Sequence, residues 1–111
     1  MTSYRTDDLG EDIAVIRVQG RLNMVAAPEL RDVVSRVVAS GRPRVVVDLA
    51  EVEFMDSSGL GALIASLKTA RQAGGDLRIA AVGDQVALVL QLSNVDRILK
   101  PYADANAAFS D

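Results

Sequence analysis

The chain has 111 residues, half of them apolar, a formal net charge of −3, and neither cysteine nor histidine. That length suits one domain, residues 1–111, with its own core, and the missing residue types exclude disulfides, thiolate or imidazole catalysis, and zinc or iron–sulfur sites of the usual kind. Mild acidity and four scattered aromatics, Tyr4, Phe54, Tyr102 and Phe109, supply neither the basic face nor the stacking platform that nucleic acid requires.

Met1 to Asp8 is polar, without the apolar core of a signal peptide, and no apolar run approaches the ~18–20 residues of a membrane span. A cytoplasmic protein without membrane contact is expected. Tyr4 to Asp8 either forms a short strand, pairing across a turn near Gly10-Glu11-Asp12, or stays disordered. Ile13-Ala14-Val15-Ile16-Arg17-Val18 is β-branched and ends at Gly20, which predicts a strand. Pro28 fits the first turn of a helix, and Leu30, Val33, Val34, Val37 and Val38 recur at helical spacing. Valine is a weak helix former, so packing must hold that helix; Gly41 and Pro43 end it. Val45 to Leu49 is apolar except for Asp48, as in a strand covered on both faces. A second helix is predicted from Ser57 to Ala73, stopped by Gly74-Gly75, and a strand from Leu77 to Val82. Asp84 is placed to cap a third helix, Gln85 to Leu92. A short strand over Arg97 to Leu99 follows, with Pro101 blocking its continuation, and a last helical turn over Asp104 to Phe109. The alternation implies an α/β architecture: a mixed, mostly parallel central sheet of four to five strands with four helices packed on it.

Chemistry in such folds gathers past the carboxyl ends of strands. Asp56, Ser57 and Ser58 lie there, at the start of the second helix, followed by Gly59, Leu60 and Gly61. One residue suffices to cap a helix, and neither serine has Glu or Gln three positions on, so no capping box employs them. A cap alone and a functional hydroxyl are evenly weighted on these residues. Two glycines in one helical turn cost roughly 0.8–1 kcal/mol each, a cost consistent with close approach of a modifying enzyme or partner.

The run from Val46 through Asp56-Ser57-Ser58-Gly59-Leu60-Gly61 to Leu63 resembles the signature of the STAS domain, more narrowly that of bacterial anti-sigma factor antagonists. Weaker likenesses are Gly20-Arg21-Leu22-Asn23, Ala27-Pro28-Glu29-Leu30 and Gly74-Gly75-Asp76-Leu77. The resemblance implies the STAS fold and a protein switch rather than an enzyme. In that family the unmodified antagonist binds an anti-sigma factor that is also a serine kinase and frees the sigma factor. The kinase then phosphorylates the serine after the aspartate, and a phosphatase resets the cycle. Carried over, Ser57 is the acceptor, Asp56, Ser58, Gly59, Leu60 and Gly61 its loop, and Asn23, Met24, Val25, Ala26 and Ala27 the adjoining docking loop. Many relatives carry Asp where this chain has Asn23, so one acid fewer opposes a phosphate here. A monomer or weak dimer without cofactor is implied.

Other residues carry weaker alternatives. Asp48 is a candidate catalytic or metal carboxylate, or more simply accepts loop N–H groups. Asp7-Asp8 has the make-up of a receiver domain's acidic pair but precedes the first apolar strand instead of following it. Arg21, Arg42 and Arg44 suit an anion site or plain solvation. Met24 and Val25 suit a partner patch or packing under their loop. Ser66 and Thr69 are expected to face solvent or bond their own backbone. Two other functions are compatible: a small anion- or nucleotide-binding sensor, which lacks a P-loop lysine here, and a structural subunit of a larger signalling or transport complex.

Overall fold

The computed structural model describes residues 1–10 and 12–109, so Glu11 of the expected turn lies outside the described residues. The elements run β1 Ser3–Asp8, β2 Ile13–Leu22, α1 Ala27–Ala39, β3 Arg44–Met55, α2 Ser57–Gln72, β4 Asp76–Ala80, α3 Asp84–Leu92 and β5 Pro101–Tyr102. They form one five-stranded sheet in the order β1-β2-β3-β4-β5. β1 pairs antiparallel with β2, and the remaining pairs are parallel. The N-terminal segment is therefore a strand, not a disordered tail.

From β2 to β5 the strand order never reverses. Right-handed crossovers then put every helix on the same side of the sheet. Alternate strand residues follow suit. Ala14, Ile16, Val18, Val45, Val47, Leu49, Leu77 and Ile79 face the helices and meet Leu30, Val34, Leu63, Leu67, Val86 and Leu90 in one buried core. Val15, Val46 and Ala80 point the other way, where Ala105, Ala108 and Phe109 cover them. This is why Val45 to Val47 is continuously apolar: both faces of the strand are covered there.

Three expectations about the elements need correction. The strand placed over Arg97 to Leu99 lies instead at Pro101–Tyr102. Proline is tolerated there because β5 is an edge strand, where one missing donor leaves no ladder partner unpaired. Leu99 is buried as a core residue outside any strand. The segment from Asp104 to Phe109 makes turns closed by bonds such as Ala107 N–H to Asp104 C=O at 3.2 Å, not a fourth helix. Three helices are present among the described residues. Asp84 is the first residue of α3, not its cap; Gly83 holds the N-cap position and no side chain bonds the helix end.

Candidate functional site

β3 runs to Met55, and α2 begins two residues later. Asp56 takes extended backbone angles as the N-cap, and its Oδ1 accepts the Gly59 N–H at 3.0 Å. That is the capping bond α2 needs. Ser57, the first helical residue, is exposed, and no hydrogen bond engages its hydroxyl among the described residues; Ser58 is half-buried. The acid caps, and the serine beside it is left over. Its hydroxyl projects where α2 carries unpaired N–H groups and partial positive charge.

The backbone before Ser57 is held from two directions. On one edge, the Asp56 N–H points at the Leu22 carbonyl at 3.4 Å, so α2 starts against the end of β2. Gly59 explains itself here: a Cβ would sit 2.1 Å from that same carbonyl oxygen. Its absence is therefore an internal packing requirement, not a concession to a visiting enzyme. Gly61 faces open space instead: among the described residues, nothing beyond its own neighbours and the local helix backbone lies within 4 Å of its missing Cβ. On the other edge, Gln85 of α3 bonds both polar groups of Met55. Neither Leu22 nor Gln85 was singled out from the sequence; nothing local marks a residue whose role is to meet a backbone some 30 positions away.

Because β2 ends beside Asp56, the loop from Asn23 to Ala27 starts next to the Asp56–Gly61 segment. Asn23 Oδ1 accepts the N–H groups of Val25 at 3.2 Å and Ala26 at 3.1 Å, which turns the chain sharply into α1. A carboxylate could accept the same two bonds, so Asn in place of Asp keeps the turn and removes a charge. Ala26 and Ala27 are buried and present no side chain outward. Met24 and Val25 are 72% and 74% exposed, so they do not pack under the loop. Tyr4 braces the loop from beneath, donating to Ala26 C=O at 3.1 Å and to Glu29 at 3.3 Å. Burial and the Glu29 carboxylate push its phenol well above the ordinary value.

A family model described as the STAS domain matches residues 6–108. The chain belongs to the STAS domain family. Among curated relatives, an anti-sigma-B factor antagonist of Staphylococcus aureus is 29% identical over 84 residues, covering 76% of this chain and 78% of the relative. An anti-sigma factor antagonist from Mycobacterium paratuberculosis superposes with a TM-score of 0.83 at 28% identity, over 96% of this chain and 89% of that one. SpoIIAA of Bacillus in its phosphorylated form shares the fold, with a TM-score of 0.69 at 20% identity over 89% and 90% of the two chains.

The remaining candidates of this STAS domain are structural. Asp48 accepts the Ala50 N–H at 3.0 Å and a 2.6 Å bond from Arg17, which also holds Asp7 at 3.0 Å. That bond from Arg17 keeps the Asp7 carboxyl below its usual range. Asp8 pairs with Arg42 instead, so Asp7-Asp8 forms no shared acidic pocket. The three arginines do not converge either: Arg21 stacks on Phe54, and Arg44 sits over Phe109 within reach of Asp12. A cavity of about 480 Å³ lies on the polar part of the sheet face opposite the helices. Arg5, Arg17, Asp48 and Glu51 line it, and both arginines are already ion-paired. Thr69 bonds the Ala65 carbonyl one turn back, as expected. Ser66 does not face solvent; it is buried against the core with no hydrogen-bond partner among the described residues.

Proposed function

We propose that this STAS domain is an anti-sigma factor antagonist, a binding module whose partner is an anti-sigma factor with serine kinase activity. In the unmodified state it binds that partner and so frees a sigma factor. Phosphorylation of Ser57 ends the association, and a phosphatase restores it. The observation that carries this reading is the division of labour at the helix start: Asp56 makes the capping bond, and the exposed Ser57 hydroxyl is unengaged among the described residues. The names of its relatives support the antagonist part of that reading.

A phosphoserine adds about −1.5 to −2 charge and three acceptor oxygens. At the first position of a helix the backbone tolerates that charge. A partner packed against Met24, Val25 and the first turn of α2 would then face a hydrated dianion beside Asp56 where a small hydroxyl had been. Losing about 2–3 kcal/mol weakens binding roughly 30- to 150-fold, enough to exchange partners without refolding.

The test is a pull-down with the full chain, with and without ATP, followed by mass spectrometry. Ser57→Ala should capture the kinase and resist labelling. Ser57→Asp should fold normally and bind within the weakened range given above. Label on another residue, or Ser57→Asp binding as tightly as wild type, would overturn the proposal.

A further inference from the structure

β3 pairs with β4 only as far as the Asp48–Ala80 pair, seven residues before Met55. At Met55 the β2 edge is occupied by Leu22, and the opposite edge has no strand. Gln85 fills that place. Its Oε1 accepts the Met55 N–H at 2.8 Å, and its Nε2 donates to the Met55 carbonyl at 2.9 Å. One carboxamide thus makes both bonds that a neighbouring strand would make to that residue. The clasp has rigid ends, because the Met55 side chain is buried in the core and α3 is anchored by buried Val86 and Leu90.

We infer that Gln85 is a positioning residue for the Ser57 hydroxyl, acting through Met55; the inference rests on the reading of Ser57 as phosphoacceptor. In the transfer, Ser57 Oγ attacks the γ-phosphorus of ATP, the bond to the β-phosphate oxygen breaks, ADP departs and the hydroxyl proton passes to a base of the kinase. Such displacement is sensitive to placement: an error of about 1 Å in a reacting atom can cost 100-fold. The Ser57 hydroxyl makes no hydrogen bond among the described residues, so its position is inherited from the backbone of the Met55–Asp56 step and the helix start it leads into. That step is fixed by Leu22 on one side and Gln85 on the other.

The experiment uses the full chain and the kinase captured by the pull-down described above. Gln85→Leu preserves most of the side-chain bulk and removes both bonds. It should bind the kinase without ATP within about twofold of wild type, yet accept phosphate with kcat reduced about tenfold or more. Its Met55 and Asp56 amides should exchange faster with deuterium. Gln85→Glu retains the acceptor for the Met55 N–H but sets a carboxylate against the Met55 carbonyl, and should fall between the two; it decides the matter if Gln85→Leu does not fold. Label on wild-type Ser57 with unchanged kcat in the variants overturns this inference alone. Loss of binding, kcat and thermal stability in parallel also overturns it, since that pattern marks general damage. Absence of label on wild-type Ser57 overturns the acceptor reading and this inference with it.

Discussion

Gly59 and Gly61 lie two residues apart in the same turn of α2, and the same substitution should act on them with opposite sign. Replacing either glycine by alanine gains about 0.8–1 kcal/mol of helix propensity. At Gly61 nothing opposes that gain, because among the described residues no atom beyond the adjoining residues and the local helix backbone lies within 4 Å of the new methyl group. At Gly59 the new Cβ would sit 2.1 Å from the Leu22 carbonyl oxygen, 2.9 Å from its carbon and 3.0 Å from the Leu22 Cγ. The first distance is more than an ångström inside van der Waals contact, and the obstacle is backbone at the end of a paired strand, not a side chain free to rotate. Overpacking of this kind costs typically 1–3 kcal/mol, and the rigid obstacle points to the upper end. Subtracting the propensity gain leaves Gly59→Ala destabilised by about 1–2 kcal/mol. Gly61→Ala should be stabilised by somewhat less than 1 kcal/mol, roughly. Urea unfolding followed by circular dichroism at 222 nm would read the two shifts as opposite displacements of the midpoint with a common slope. If Gly59→Ala were stabilised as much as Gly61→Ala, α2 would not begin against β2 as described, and the account of how the Ser57 loop is held would fall with it.

The helix cap makes a second contrast. Asp56→Ala removes the bond to the Gly59 N–H and should cost about 1 kcal/mol. Ser57→Ala should change stability by less than about 0.5 kcal/mol because no bond is lost. Equal losses in thermal melts would show that both side chains share the capping role. The Tyr4 phenol provides a pH test. Its folded value is raised, so its contribution to stability is complete below the unfolded value of about 10 and declines as pH rises above it. Wild-type protein should therefore lose stability between about pH 10 and 12 relative to Tyr4→Phe, measured as the difference in urea midpoint. Parallel curves would mean that the phenol is not buried against Glu29.

Much of the fold was legible in local pattern. The β-branched runs from Ile13 and Val45 became strands, and the Leu30-Val34-Val37 spacing became the buried face of α1, because burial of one face repeats every two or 3.6 residues. The candidate site was legible for a different reason: the excess of hydroxyls over capping needs at Asp56-Ser57-Ser58 is a property of consecutive residues. Legibility failed where a short segment relies on distant cover. The segment from Asp104 to Phe109 has helical composition, but its ordering comes from lying over Val15, Val46 and Ala80. Ser66 reads as solvent-facing or backbone-bonded because serine is mostly exposed, yet it lies one turn from Ala62 and Ala70 on the buried face of α2.

The amino-acid sequence by itself determined the elements from β2 to α3, their order and the surplus of capping residues at the head of α2. Tertiary structure alone decided why Gly59 must lack a side chain, that Gln85 stands in for a missing strand at Met55, and that β5 falls on Pro101–Tyr102. The division has one physical cause. Periodicity and capping act between residues a few positions apart, whereas the partner of a backbone group at a strand end depends on where crossovers of 30 residues bring the chain back.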